Sequence, residues 1–243
     1  MTPRVGFVDT APLRADRAAI REHARRDGYL YQRGLIDPAT VLGARRAVLE
    51  LCRDCGWVAD GSTLMDGVAA AVRIGAYDDP QWIRLLPEAL ALPEVRNLAQ
   101  APAIFSVLDA VYHGPPSAYP GDICRVVSPD TAEFTTPPHQ DAWYLRNAEE
   151  LWTAWLPLGD CPLPLGPLAV LPGSHAQGLV PHTGGKGDVQ SAAVPPEAAW
   201  TSGDLLAGDV LFVHGMTVHR AFDNESAGHL RLSVNFRFVR GGV

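Results

Sequence analysis

The chain has 243 residues, enough for one well-packed domain and too few for two ordinary enzyme domains with a linker. Its 47% hydrophobic and 19% charged residues, with no apolar run near the roughly 18 residues of a membrane span, argue against a disordered or membrane-spanning chain. We therefore expect a cytoplasmic protein, and the net charge of −7 argues against nucleic acid or an anionic membrane as its main partner.

The first half of the chain is predicted to be mainly helical. Apolar residues at three- and four-residue spacing predict helices over 14–27, 38–55 and 93–113, with Asp37 as a cap for the second. Between the first two, the segment YLYQRGL is typical of a short strand. The four cysteines, two of them a CxxC at the end of the second helix, lack the second pair that a zinc site needs and are expected to be reduced thiols.

The second half changes character after a predicted loop at 114–122. From there, turn residues separate five short apolar segments that predict strands: ICRVVS, LWTAWLPL, GPLAVLP, DVLFVH and LRLSVNFRFV. Short strands at this spacing indicate a β-sandwich or jelly roll. We expect a single domain over 1–243, with helical support mostly in 1–113 and the jelly-roll core mostly in 114–243.

Two long segments, 59–79 and 181–203, show no clear period, and the second is rich in Gly and Pro. Long loops on a β scaffold often carry binding function. Both segments are therefore candidates for a lid over a site, and the sequence does not decide between them. The alternative for each is an ordinary surface loop.

The scarcity of lysine excludes several chemistries. Of the 20 basic residues, 19 are arginine and Lys186 is the single lysine. Schiff-base catalysis needs a buried lysine, and a Walker-type phosphate loop needs GK[ST], whereas Lys186 lies in GGKGD. Both are nearly excluded.

The fragment TPPHQDAWYL contains a possible metal-binding pair. His139 and Asp141 are two residues apart, so in an extended segment both side chains point the same way and can bind one metal ion. A second histidine is available downstream, at His214 or His219, and the spacing alone does not choose between them. Two histidines and one carboxylate leave open coordination positions, as in non-haem iron(II) enzymes that bind O2.

An arginine follows on the next predicted strand. Arg231 stands twelve residues after His219, and its guanidinium could hold the carboxylate of an acidic co-substrate in a bidentate grip. Arg237 is an equal competitor by chemistry, but lies six residues further along, about 20 Å away in an extended strand. A surface position on the strand is the plainer interpretation of either residue.

These blocks, taken in order, resemble the phytanoyl-CoA dioxygenase family of iron(II)- and 2-oxoglutarate-dependent oxygenases over nearly the whole chain. The segment DGYLYQRGLIDPATV resembles its N-terminal strand and helix start, and HQD its first two metal ligands. WTAWLPLGD and GPLAVLPGSH resemble its middle strands, and GDVLFVHGMTVH its last block. The resemblance implies a mainly β protein, with a double-stranded β-helix (jelly-roll, cupin-like) core flanked by N-terminal helices.

The resemblance also implies roles for single residues. It implies iron(II) bound by His139, Asp141 and His219. Arg231 matches the anchor for the C5-carboxylate of 2-oxoglutarate, and Gln140 and Trp155 match positions that line the co-substrate pocket. Two departures, Ala221 in place of a serine and the lack of an upstream lysine, weaken the case for a CoA-thioester substrate.

Other residues near these blocks have more than one interpretation. Trp143, Tyr144 and Arg146 follow the HQD block and could face the substrate, although the two aromatic residues could equally belong to the core. His175, in the PGSH segment, is typical of the family and is expected to be structural.

The function implied is oxidation, by default hydroxylation, of an unactivated C–H bond in a small molecule, with O2 consumed and succinate and CO2 released. The arginine-rich, lysine-poor composition suggests a GC-rich bacterial genome, and in such genomes small members of the family that this chain resembles often modify natural-product intermediates. Asp141 argues against the related halogenases, in which Gly or Ala replaces the carboxylate. The alternatives are a zinc-dependent hydrolase or lyase, which would leave Arg231 without a purpose, and a non-catalytic jelly-roll binding module.

Overall fold

The computed structural model describes residues 4–74, 80–145, 150–186 and 189–241. Within these ranges the helices are α1 (Arg17–Asp27), α2 (Pro38–Asp54), α3 (Pro80–Ala91), α4 (Pro93–Ala99), α5 (Pro102–Tyr112) and α6 (Asp141–Tyr144). The first strands are β1 (Arg4–Val5), β2 (Tyr29–Gln32), β3 (Pro116–Val127), β4 (Trp152–Pro157), β5 (Leu168–Val170) and β6 (His182–Lys186). The later strands are β7 (Val189–Ala192), β8 (Trp200–Thr201), β9 (Val210–His214), β10 (His219–Ala221) and β11 (Arg231–Arg240).

The strands form two sheets and a separate hairpin. One sheet has the order β2-β9-β4-β11-β3 with antiparallel neighbours throughout, and the other has the order β1-β8-β5-β10. β6 and β7 pair only with each other among the described strands. This arrangement of sheets, with helices before them in the chain, confirms the expected jelly-roll core with helical support.

Alternating side chains give the five-stranded sheet two different faces. In β9, Phe212 belongs to the large apolar core that contains residues of helices α1 to α5, whereas Leu211 packs in a second cluster. That second cluster joins Leu211 and Trp155 of the five-stranded sheet to Val170 of the four-stranded sheet. The helices therefore cover one face, as expected, and the other face looks into the space between the sheets.

Local signals explain the elements around the first strand. Asp16 caps α1 by accepting hydrogen bonds from the backbone N–H groups of Ala18 and Ala19, each at 3.0 Å. The helix ends at Gly28, whose φ of 71° lies in the left-handed region, and a Cβ there would lie 2.3 Å from His175 Nδ1. The predicted helices over 14–27 and 38–55 and the strand between them are confirmed.

The predicted helix over 93–113 is wrong as a single element. It is two helices, α4 and α5, because Pro102 begins the second and Ala101 before it is extended, with φ −61° and ψ 121°. Helix α3 was not predicted, and it continues through Pro87 inside a sequence of mixed period. The helical support is therefore more divided than the apolar pattern indicated.

The predicted loop over 114–122 is also wrong, because most of it belongs to β3. This strand pairs with β11 from Pro116 opposite Arg240 to Val127 opposite Arg231, with one register shift. β3 is the edge of its sheet, where prolines that cannot donate to a ladder are tolerated. The segment 181–203, which had no assignment, contains β6, β7 and β8.

All four cysteines are unpaired, as expected. Cys52, Cys124 and Cys161 are buried, and burial raises the pKa of each thiol above its ordinary value. None of the described helices combines the length and the apolar character needed to cross a membrane.

Candidate metal centre

Three side chains far apart in the chain meet between the two sheets. His219 begins β10, and its backbone exchanges two hydrogen bonds of 2.9 Å with the backbone of His139. Gln140 continues the extended segment, but Asp141 is the first residue of the short helix α6, so the extended geometry expected for the HQD block ends one residue early. The imidazoles of His139 and His219 and the carboxylate of Asp141 are buried, with one donor atom of each within 4.8 Å of the others.

Backbone carbonyls set the orientation of both imidazoles. His139 Nδ1 lies 2.9 Å from the carbonyl oxygen of Pro137. His219 Nδ1 lies at the same distance from the carbonyl oxygen of Thr217. Because a carbonyl oxygen can only accept, each Nδ1 donates its proton, so the lone pair of each imidazole in its neutral form lies on Nε2. The two Nε2 atoms lie 3.6 and 3.8 Å from Asp141 Oδ1, an arrangement typical of histidines that ligate a metal.

Two neighbours hold the carboxylate of Asp141. The Thr153 hydroxyl donates to Oδ2 at 2.7 Å, and Arg237 Nη2 lies 3.5 Å from Oδ1. Burial alone would raise the pKa of Asp141, but the Arg237 charge and the two imidazoles hold it well below its usual range. Burial, with the neighbouring His139, lowers the pKa of His219 to about 4. At neutral pH the site therefore offers a carboxylate and a neutral imidazole at His219.

A narrow cavity adjoins these three side chains. Its other lining residues are Arg125, Thr136, Trp155, Leu168, Ala221, Arg231, Asn235 and Arg237. Trp155 and Arg231 both line this cavity, beside the three side chains. Arg231 is buried and donates from Nη1 to the carbonyl oxygen of Gly166. The wall of the cavity is strongly cationic, since three arginines contribute to it.

The position of Arg237 differs from the expectation. It is buried and contacts Asp141, because odd-numbered residues of β11 share one face with Arg231 and long side chains cover much of the distance between them. β10 and β11 are not neighbours: His219 and Arg231 reach the cavity from opposite sheets.

Gln140 does not line this cavity. Neighbouring residues of an extended segment point to opposite sides, so its amide turns away from the side chain of His139. The amide nitrogen donates to the carbonyl oxygens of Gly178 at 2.8 Å and Met216 at 2.6 Å, and the amide oxygen accepts from Val180 N–H at 2.8 Å. Gln140 therefore ties two loops to the segment that carries the triad.

His214 and His175 lie outside the group of three. His214 ends β9, its Nδ1 accepts from the backbone N–H of Met216 at 3.1 Å, and its ring meets Trp152 edge-on at 5.3 Å. His175 Nε2 lies 3.0 Å from the carbonyl oxygen of Arg25 in α1, consistent with the structural role expected for it.

The residues after Asp141 form a partly exposed aromatic group next to the site. Trp143 and Tyr144 are each 41% exposed, although both are large and apolar. The Tyr144 ring lies 6.1 Å from that of His139, and Trp143 stacks on His182 at 4.5 Å with an interplanar angle of 11°. Burial lowers the pKa of His182. Arg146, the third residue expected here, lies outside the described residues.

The hairpin of β6 and β7 is fastened to this aromatic group. Gln190 of β7 accepts from the Trp143 indole N–H at 3.1 Å through its side chain and from the Tyr144 hydroxyl at 2.9 Å through its carbonyl. His182 of β6 accepts the backbone N–H of Gln140 at 3.1 Å. Neither Gln190 nor His182 was identified from the sequence, where nothing in their spacing connects them to the HQD block.

The other lid candidate lies elsewhere. Within its described part, 59–74, Ala69 N–H donates to the carbonyl oxygen of Gly228 at 2.7 Å and Gly67 accepts from Leu230 N–H at 2.8 Å. It thus packs against the segment before β11, while residues 75–79 lie outside the described residues.

Comparison with known proteins places this geometry in a family. The profile of the phytanoyl-CoA dioxygenase (PhyH) family matches residues 24–232. A 1-deoxypentalenic acid 11-beta-hydroxylase from Streptomyces arenae is 27% identical, over 95% of this chain and 84% of that protein. The protein of the same name from Streptomyces exfoliatus is 26% identical with the same coverage.

Solved structures show the same fold. The epimerase SnoN, in a complex with Fe3+, alpha ketoglutarate and nogalamycin RO, has a TM-score of 0.65 and 23% identity, covering 93% of this chain and 84% of that chain. The non-heme monooxygenase ThoJ in its apo form has a TM-score of 0.67 and 20% identity, covering 91% of this chain and 77% of that one. At such identities the likeness carries the fold alone.

Proposed function

The chain belongs to the phytanoyl-CoA dioxygenase family of iron(II)- and 2-oxoglutarate-dependent oxygenases, and from this membership we propose the roles of its site residues and the kind of substrate it oxidises. The protein is thus an enzyme that uses iron(II), 2-oxoglutarate and O2. When bound, these supply an oxidation of a substrate C–H bond that is coupled to conversion of 2-oxoglutarate into succinate and CO2.

The iron is assigned to His139, Asp141 and His219. The observation that carries this assignment is the convergence of three buried donors within 4.8 Å, with both imidazoles fixed through Nδ1 so that Nε2 is available. Two histidines and one carboxylate suit iron(II) and leave open positions for the co-substrate and O2. The hydroxyl of Thr153 holds Asp141 Oδ2, which keeps Oδ1 turned towards the imidazoles.

Arg231 is assigned to the far carboxylate of 2-oxoglutarate, with Trp155 as a wall of the same cavity. Both line the space beside the triad, and a buried guanidinium suits a carboxylate because the two groups form parallel hydrogen bonds. Gln140, expected at the co-substrate, is better supported in an indirect role. Its three bonds to backbone groups steady the segment between two of the assigned ligands.

The proposed substrate is a small, largely apolar molecule of the natural-product type. The exposed rings of Tyr144, which lies beside His139, and of neighbouring Trp143 supply an apolar surface next to the site. The relatives named for the hydroxylation of 1-deoxypentalenic acid, which match 95% of this chain, support the same class. Hydroxylation is the default outcome, and the presence of Asp141 argues against halogenation.

Anaerobic titration followed by exposure to O2 tests this function. Iron(II)-loaded protein with excess 2-oxoglutarate should develop the weak visible charge-transfer band of the metal-bound keto acid, and O2 should then yield succinate. A zinc-dependent hydrolase or lyase would instead act with zinc and without 2-oxoglutarate. A binding module would bind neither metal nor co-substrate. Failure to bind iron(II), or absence of the band in iron-loaded protein, would contradict the proposal.

Two further expectations accompany this function. One catalytic domain over 1–243 is supported by the large apolar core, which contains residues of helices and of the five-stranded sheet together. The cytoplasmic location stays a prediction, and fractionation of cells that express the protein would test it.

A further inference from the structure

One face of β11 carries polar atoms that lack partners. Ser233 Oγ, Asn235 Oδ1 and Arg237 Nε are all buried, and none has a hydrogen-bond partner among the described residues. Such atoms are rare, because each loses its hydrogen bonds to water without replacement. Three on one face of one strand indicate that this face is completed by something the chain itself does not supply.

Arg237 is the most informative of the three. Its side chain is buried, and its Nη2 lies 3.5 Å from Asp141 Oδ1, the oxygen that faces both imidazoles. The carboxylate of Asp122 accepts from the backbone N–H of Arg237 at 3.0 Å. A guanidinium has five N–H donors in a planar fork, so Asp141 alone leaves part of that fork unused.

Two arginines of β11 line the same cavity, so each can bind one carboxylate of a molecule that has two. Arg231 and Arg237 both line the cavity beside the triad, although their backbones are roughly 20 Å apart in an extended strand. Two long arginine side chains pointing into one cavity cover most of that distance. The end of the cavity near Arg237 is also the end near the assigned metal ligands, because Arg237 contacts Asp141.

We propose that Arg237 binds the metal-side carboxylate of 2-oxoglutarate, so that the co-substrate is held by an arginine at each end. This inference rests on the proposed function. Arg237 would then bridge Asp141 and the co-substrate, while Asn235 and Ser233 lie between the two arginines along the same face. The alternative is that Arg237 only orients Asp141.

Binding of two keto acids separates these roles. 2-Oxovalerate has the keto-acid end of 2-oxoglutarate and the same number of carbons, but lacks the far carboxylate. Dissociation constants for both are measured anaerobically, from the charge-transfer band of iron(II)-loaded wild type and the variants Arg231→Ala, Arg237→Ala and Arg237→Lys. Arg240→Ala is the matched control, since Arg240 lies on the same strand but is exposed and pairs with Glu150.

Arg237→Ala should weaken both keto acids by at least about tenfold, because the carboxylate that it holds is common to them. Arg231→Ala should weaken 2-oxoglutarate and leave 2-oxovalerate nearly unchanged. Arg237→Lys should restore part of the loss, since the charge returns without the planar fork. Arg240→Ala should change neither constant.

The affinity for Mn2+, measured without any keto acid, tests the alternative that Arg237 only orients Asp141. Arg237→Ala should keep Mn2+ binding within about threefold of wild type, since it removes no proposed ligand. Unchanged 2-oxovalerate binding in that variant, or a loss explained entirely by weaker Mn2+ binding, would overturn the proposal. If Arg237→Ala does not fold, Arg237→Lys must still weaken both keto acids. Absence of the band in wild type would instead contradict the proposed function itself.

Discussion

The two faces of strand β11 differ in polarity and in what they contact. Its even-numbered residues from 232 to 238 lie in the large apolar core against the helices: Leu232, Val234, Phe236 and Phe238. Its odd-numbered residues from 231 to 237 are equally buried but polar, and most line the cavity beside the triad: Arg231, Ser233, Asn235 and Arg237. One strand thus carries the fold on one side and the site on the other.

The difference between the faces is energetic as well as chemical. Apolar side chains contribute roughly 25 cal/mol for each Å2 that they remove from water, so the helix-facing side stabilises the fold. Buried polar atoms without partners cost stability, and the cavity-facing side includes Ser233 Oγ, Asn235 Oδ1 and Arg237 Nε. The polar residues of the site therefore lower the stability of the fold, as is common where function requires buried polar groups without partners.

The strongest test of the polar side removes a proposed metal ligand. His139→Ala and His219→Ala should each abolish 2-oxoglutarate-dependent succinate formation, because two remaining ligands make a weak site. His214→Ala should retain turnover, since that ring lies against Trp152 outside the triad. Succinate and bound iron are measured for all three variants. An inactive His214→Ala together with an active His219→Ala would show that the ligands are assigned wrongly.

Removing a ring from the apolar face should weaken the fold instead. Phe236 is wholly buried in the helix-side core, so Phe236→Ala should lower the free energy of unfolding by about 3–5 kcal/mol. Urea unfolding of the metal-free protein measures the change. Where the variant is folded, its affinity for 2-oxoglutarate should stay near that of wild type. A large loss of affinity without a loss of stability would mean that the two faces are not separate.

Arg231→Ala should weaken the binding of 2-oxoglutarate, whereas Phe236→Ala weakens the fold. We expect the apparent KM for 2-oxoglutarate to rise at least about a hundredfold, equivalent to about 2.7 kcal/mol, because the far carboxylate loses its partner. Arg231→Lys should recover part of that loss. Initial rates against 2-oxoglutarate, at saturating substrate and iron, measure the effect. An unchanged KM in Arg231→Ala would move the anchor to another residue of the cavity.

The smallest expected effect is a gain in stability. Ser233→Ala removes a buried hydroxyl without a partner and changes the volume little, so the metal-free protein should gain up to about 1 kcal/mol of unfolding free energy. Urea unfolding of Ser233→Ala, measured in parallel with Phe236→Ala, compares the two changes in unfolding free energy. If Ser233→Ala instead loses more than about 1 kcal/mol, the hydroxyl contributes to the fold and the polar face is less costly than described.

Much of the local structure was predictable because it depends on nearby residues. Asp16, Asp37 and Gly28 mark helix ends, and the apolar segment LRLSVNFRFV predicts a strand. One error arose where a neighbouring strand decides the outcome, because residues 116–122 look like a loop in isolation but pair with β11 at a sheet edge. The other error was local, because Pro102 divides a continuous apolar pattern into two helices.

The sequence by itself determined the fold class, the family and the residue types available for a metal and an acid co-substrate, because these follow from local periodicity and from motifs in a fixed order. Tertiary structure alone decided which of those residues meet. Arg237 reaches Asp141 across 96 positions of the chain, and Gln190 reaches Trp143 from a hairpin without a motif. Such contacts depend on how two sheets and a hairpin close around one cavity, and the backbone period along a single segment carries no information about that closure.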